Sequence, residues 1–202
     1  GGQEYAPGTG IRVEPGSKAV LQVHYNTQVA GSEQDQSKIG FRIDEEVERE
    51  GAVVAFLNGY WFIDPTSMGI PAGEESVTHS FQAPLGEALY NPIEAPRFEV
   101  HSLLPHMHKL GRQIRLSKQS ASGSEVLLNV PDYDFNWQRD YVFETPVVFE
   151  NTDELLLECT WNNTKQWRAR VGAQPVEPID VGWGEGTVDE MCVAALYVTA
   201  AK

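Results

Sequence analysis

The sequence predicts an all-β sandwich or barrel. Short runs rich in β-branched and aromatic residues recur at roughly 8–12-residue spacing, the pattern of many strands rather than of strands alternating with helices. No segment holds a helical apolar period over about ten residues. Turn-forming clusters separate the runs, as in Pro71-Ala72-Gly73, Ser122-Gly123-Ser124 and Pro131-Asp132.

In chain order, residues 1–18 are rich in Gly and Pro and read as loop. Ala19–Thr27 reads as a strand with Gln22 and His24 on one face and Leu21, Val23 and Tyr25 on the other. Residues 30–38 are polar and small, a linker composition. Strand-like runs follow at Gly40–Ile43, Ala52–Asn58, Tyr60–Ile63, Glu75–Gln82, Arg97–Leu104, Gln113–Ser117, Glu125–Val130, Tyr141–Phe149, Glu154–Trp161 and Met191–Thr199. The acidic run Asp44–Glu50 reads as a solvated strand end or loop. Val181-Gly-Trp-Gly-Glu-Gly186 has no Lys-Ser/Thr after it and no following helical pattern, so it is a loop into the last strand and not a phosphate loop. Asn162-Asn163-Thr164 fits a glycosylation triplet, which arises often by chance and carries no weight. No internal repeat is present.

Composition narrows the function. The chain is 41% hydrophobic and 22% charged, as in ordinary globular domains, and its formal net charge is −14. That balance argues against nucleic acid and anionic membrane surfaces, because the one small basic group, Lys109, Arg112, Arg115 and Lys118, makes no stripe. No apolar run approaches the roughly 18–20 residues of a membrane-spanning helix. No signal-peptide pattern opens the sequence, so an exported protein would have lost its leader. The two cysteines, Cys159 and Cys192, allow one intramolecular bridge. Count alone leaves open a disulfide or two reduced, buried thiols.

The chemistry concentrates in His101-Ser-Leu-Leu-Pro-His106-Met107-His108-Lys-Leu-Gly111, which holds three of the five histidines. On a strand, residues two apart share a face, about 6.6–6.8 Å apart along the chain. His106 and His108 would offer two imidazoles to one metal ion, with Met107 facing the other way. The competing reading is a pair of strand-end histidines, solvated or hydrogen-bonded. A β-sandwich motif with a Glu shortly after His-x-His and a later His is disfavoured, since Gly111 and Arg112 stand there and no histidine follows His108. The remaining soft candidate ligands are Met191 and the cysteines.

His106-Met-His108-Lys-Leu-Gly111, followed about eighty residues on by Asp189-Glu190-Met191-Cys192, resembles the catalytic domain of the copper type II, ascorbate-dependent monooxygenases, the family of peptidylglycine α-hydroxylating monooxygenase and dopamine β-monooxygenase. Leu21-Gln-Val-His24-Tyr25 is similar to the end of that family's first domain. The resemblance implies an antiparallel jelly-roll-like β-sandwich. It implies a copper held by His106, His108 and Met191, with two imidazoles and a thioether favouring Cu(I). It implies an enzyme that uses dioxygen to hydroxylate a C–H of a small-molecule substrate, with ascorbate as the reductant. It makes His24 one ligand of a second, electron-transfer copper. It pairs Cys159 with Cys192 in a disulfide, which would close a loop of about 34 residues worth about 3–4 kcal/mol in the chain-entropy model. An oxidising compartment, extracellular or periplasmic, then follows. His79 and His101 have no counterpart and read as core or surface histidines.

Two departures shape these expectations. The paired histidines that complete the electron-transfer site would precede Gly1, so residues 1–28 read as the C-terminal remnant of a preceding copper domain and residues 29–202 as the catalytic domain. The chain is then a fragment of a two-domain enzyme or a relative that has lost that copper. The Arg, Asn and Tyr that clamp a peptide carboxylate are replaced by Leu104, Val193 and Ala195. A glycine-extended peptide is therefore not the expected substrate; an apolar or neutral one is. Besides the monooxygenase, two other readings fit the residues: a copper-binding module for storage, delivery or sensing, and a plain β-sandwich interaction domain.

Overall fold

The computed structural model describes residues 4–21, 23, 36–186 and 188–202. Its strands are β1 (Thr9–Ile11), β2 (Arg49–Phe56), β3 (Val77–Pro84), β4 (Arg97–His106), β5 (Gly111–Ser120), β6 (Gly123–Val130), β7 (Tyr141–Glu150), β8 (Glu154–Trp161) and β9 (Val193–Ala200). They form two sheets, ordered β1-β2-β9-β4-β7 and β3-β8-β5-β6. All pairings are antiparallel except β1 with β2, which is parallel. The expected all-β sandwich is the observed architecture.

The core follows from alternation along the strands. In β8 the buried residues are Leu155, Leu157, Cys159 and Trp161, every second position. They share one buried cluster with Val54, Phe56, Leu103, Leu196 and Val198 of the other sheet and Ile114 and Leu116 of their own. β7 is an edge strand, and residues 143–146 of it leave register between the Val147–Val100 and Val142–Ser102 pairs; against β9, His101 is the additional residue of β4. Pro146 lies in the unpaired stretch of β7, where its missing N–H costs no ladder bond.

Two expected strands are corrected. Gly40–Ile43 is irregular and exposed, with Ile43 87% accessible. Its apolar alternation finds no neighbouring strand to pair with among the described residues. Tyr60–Ile63 is a helical turn, α1, that buries Trp61 and exposes Tyr60 and Phe62. Local bonds decide it: Asn58 Oδ1 accepts the Tyr60 N–H, Asp64 Oδ1 accepts the Thr66 N–H, and Pro65 starts the next turn. Of Ala19–Thr27, residues 19–21 and 23 are not in a strand; the rest, His24 included, lies outside the described residues.

A second helix, α2 (Lys165–Val171), was not expected. Its ends carry the usual signals: Thr164 Oγ1 accepts the Trp167 N–H at the start, and Gly172 adopts φ 65° at the stop. At seven residues it is too short to show an apolar period. It buries the Arg168 guanidinium, which donates to Asn163 Oδ1 at 2.7 Å and to the Pro175 carbonyl at 2.6 Å.

Candidate metal centre

The site lies where β4 ends and β9 begins. His106 is the last residue of β4 and pairs with Val193, the first of β9. Continuing that antiparallel register two places past both strand ends sets position 108 opposite position 191. Directly opposite residues share a face, as do residues two apart. On that continuation positions 106, 108, 191 and 193 would share one face, and Met107, fully buried, lies on the other.

The two imidazoles are close, with ring centroids 5.2 Å apart and planes nearly perpendicular at 86°. Each uses its Nδ1 in a hydrogen bond to an oxygen. His108 Nδ1 is 2.9 Å from the Asp189 carbonyl, and His106 Nδ1 is 2.6 Å from Gln138 Oε1. A carbonyl oxygen only accepts, so both protons sit on Nδ1 and both Nε2 lone pairs are left for another partner. Burial pushes the His106 pKa below the ordinary imidazole value and His108 beside it adds to that, while the Gln138 bond opposes. The neutral form, which alone can bind a metal, is favoured.

Glu190 holds the backbone of this turn. Its carboxylate is buried and accepts the His108 N–H at 3.0 Å, the Leu110 N–H at 2.6 Å and the Trp161 indole N–H at 2.8 Å. The Met191 N–H bonds it as well. Burial pushes its pKa up to about 8 against the pull of these donors. On the opposite side, the Tyr133 hydroxyl accepts the Met107 N–H at 3.0 Å and donates to the Met107 carbonyl at 2.8 Å. Burial pushes that phenol to about 12, so it keeps its proton. Gly111 is required by packing: a Cβ there would lie 2.9 Å from Met107 Cβ and 3.0 Å from the Tyr133 ring.

Cys159 of β8 and Cys192 are disulfide-bonded, with Cα atoms 5.9 Å apart. The bridge ties the residue after Met191 to the opposite sheet. Met191 itself is half-buried and packs against the core. Among the described residues no three His, Cys, Asp or Glu side chains gather as a metal site. Two imidazoles with a thioether make a donor set suited to a soft metal.

The other sequence candidates fall elsewhere. His101 is buried far along β4, its Nε2 2.9 Å from Thr199 Oγ1. His79 bonds the Gly69 carbonyl at 2.9 Å and meets the Trp161 ring edge-on. Asn162 is 6% exposed and its side chain accepts from Thr164, so the glycosylation triplet is closed off. Gln138, Tyr133 and Trp161 were not singled out by the sequence, and Glu190 appeared only within the motif. None has a spacing to His106 or His108 that could signal its role, because the contacts join elements 26 to 82 residues apart.

Comparison with known families gives a match. The model for the copper type II ascorbate-dependent monooxygenase, C-terminal domain, matches residues 63–199. No curated protein matches the sequence.

Proposed function

Because the chain belongs to the copper type II ascorbate-dependent monooxygenases, matching the C-terminal domain of that family, we propose that it is the domain in which copper is bound by His106, His108 and Met191 and a substrate C–H is hydroxylated. The observation that carries this reading is the matched state of the two imidazoles, each with Nδ1 engaged by an oxygen and Nε2 free. The register of β4 against β9, with the adjacent disulfide, supports Met191 as the third ligand. Copper bound there would supply dioxygen activation and one-electron chemistry, with ascorbate as the source of reducing equivalents.

The chain's own residues fix the ligands and shape the substrate's surroundings. Glu190, Asp189 and Tyr133 hold the 107–110 turn and Gln138 holds the His106 ring, so both imidazoles are oriented by the fold before any metal arrives. Beside them, Leu104 pairs with Ala195 and His106 with Val193, giving a half-buried apolar strip on the same face as the histidines. No carboxylate clamp can be built from these side chains. The substrate class is therefore apolar or neutral, and not a glycine-extended peptide.

Residues 1–28 belong to this proposal as the end of a preceding copper domain, with His24 one ligand of its electron-transfer site, and residues 29–202 as the catalytic domain. No helix among the described residues is long and apolar enough to cross a membrane. The disulfide supports an oxidising compartment, extracellular or periplasmic. Cu(I) titration of the chain tests the reading. One equivalent should bind tightly, and Met191→Ala, His106→Ala and His108→Ala should each weaken binding by more than tenfold. Binding unaffected by Met191→Ala would remove the proposed ligand set.

A further inference from the structure

The two imidazoles are held by different kinds of structure. His108 is fixed by main chain: its ring bonds the Asp189 carbonyl and its N–H bonds the buried Glu190 carboxylate, next to the disulfide. The ring of His106 is held by one side chain, Gln138, on the loop of residues 131–140 between β6 and β7. That loop has its own internal frame. The Tyr133 N–H donates to the Arg112 carbonyl at 2.7 Å, Asp134 Oδ1 accepts the Asn136 N–H at 2.8 Å, and the Trp137 N–H donates to the Asp134 carbonyl at 2.9 Å. Phe135 meets the His108 ring edge-on at 6.1 Å. Trp137 projects into solvent, 62% exposed, with the Arg139 guanidinium 4.7 Å from its ring.

The orientation of Gln138 follows from its second bond. Its Nε2 donates to the Phe135 carbonyl at 2.9 Å, so Oε1 must face His106. The oxygen cannot donate. It therefore selects the Nδ1–H form of the ring, which is the less favoured tautomer of a free imidazole and the one that leaves Nε2 as a ligand atom.

We infer that Gln138 is the positioning residue that makes His106 a ligand, and that the 131–140 loop is the adjustable arm of the site while His108 is its fixed arm. The inference rests on the copper reading above for its consequence, though not for its geometry. A ligand oriented by one loop side chain yields to whatever moves the loop, and Trp137 is the loop's most exposed aromatic. Changes there would reach the metal first through His106, since the hydrogen bonds that hold His108 come from outside the loop.

The test begins on the metal-free protein at pH 8, with the ring nitrogens of both histidines followed by NMR. In the unaltered chain both should be Nδ1–H tautomers. Gln138→Leu should shift His106 toward the Nε2–H form and leave His108 unchanged. Gln138→Glu, which keeps an acceptor oxygen, should keep the original tautomer. Asp134→Ala, which loosens the loop without touching Gln138, should shift His106 part of the way. Cu(I) affinity should fall about 10–100-fold in Gln138→Leu and recover in Gln138→Glu. An unchanged His106 tautomer in Gln138→Leu would overturn the inference, as would an equal change at both histidines. If His106 responds as stated but the unaltered chain binds no copper, the copper reading fails and the role of Gln138 as the tautomer-setting group stands.

Discussion

Glu190 and His108 are coupled through the backbone rather than through the ring: the buried carboxylate takes the His108 N–H at 3.0 Å, and the residue before it, Asp189, takes the ring. The carboxylate also satisfies Leu110, Trp161 and Met191. Removing it in Glu190→Ala leaves four buried N–H donors without that partner. At about 1–3 kcal/mol for each donor left unsatisfied, the expected loss is about 3–5 kcal/mol of stability or more. Glu190→Gln retains a carbonyl oxygen but turns an amide N–H₂ against a donor, and should cost about 1–3 kcal/mol. Urea unfolding of the three proteins measures this order. A Glu190→Ala variant within about 1 kcal/mol of the parent would show that the clamp is not what holds the turn.

Tyr133 and Gly111 make the second support. Tyr133→Phe keeps the ring in place but strips the Met107 N–H and carbonyl of their shared partner, and should cost about 1–3 kcal/mol. Gly111→Ala puts a methyl into space already held by Met107 and Tyr133, an overpacking that should cost a similar amount, about 1–3 kcal/mol. The two residues are in contact, so the double variant should lose less than the sum of the single losses. Strict additivity in a double-variant cycle would show that they act independently.

Much of the sandwich was legible because its strands are half-buried and long enough to alternate. Glu154–Trp161 was placed to the residue, and its buried positions, Leu155, Leu157, Cys159 and Trp161, are all apolar. Tyr60–Ile63 was misread because four apolar residues cannot distinguish a strand from a helical turn, and the deciding bonds from Asn58 and Asp64 are side-chain chemistry. Gly40–Ile43 has the strand pattern without a strand, which shows that alternation needs a partner edge. In the site, His106 and His108 were visible as a local spacing. Gln138 was invisible, because its relation to His106 exists only after the β6–β7 loop folds back on β4.

The disulfide should contribute more than a generic cross-link. Cys159 and Cys192 are 33 positions apart, so the chain-entropy model gives about 3–4 kcal/mol for the bridge. The double variant Cys159→Ala/Cys192→Ala should lose about that much in guanidinium unfolding. It should also weaken Cu(I) binding by more than Cys-free destabilisation elsewhere does, since Cys192 adjoins Met191. Gly51→Ala, which places a Cβ against the Tyr197 ring at the other end of the sheet, is the control for destabilisation remote from the site. Equal copper affinity in the two variants would mean that the bridge stabilises the fold without fixing the methionine.

Acid sensitivity should come in part from His101, remote from the candidate ligands. Burial pushes its pKa below the ordinary value, the Arg49 guanidinium adds to that, and Glu99 opposes. Arg49 is itself held by Glu99 at 2.6 Å and Thr199 at 3.1 Å, and the Tyr197 ring closes the remaining side at 5.5 Å. In the window between the lowered folded-state value and the unfolded value of about 6.5, the unfolded chain binds a proton that the folded chain refuses. The stability is complete above about pH 6.5 and is lost as pH falls through that window. His101→Gln keeps a donor toward Thr199 but cannot charge, so its unfolding free energy should fall less between pH 7 and pH 5 than that of the parent. The comparison isolates His101, because His106 and the carboxylates are common to both proteins. Identical pH profiles would mean that His101 keeps an ordinary affinity for its proton in the folded state, and that the Arg49–Glu99–Thr199 network adapts to its charge.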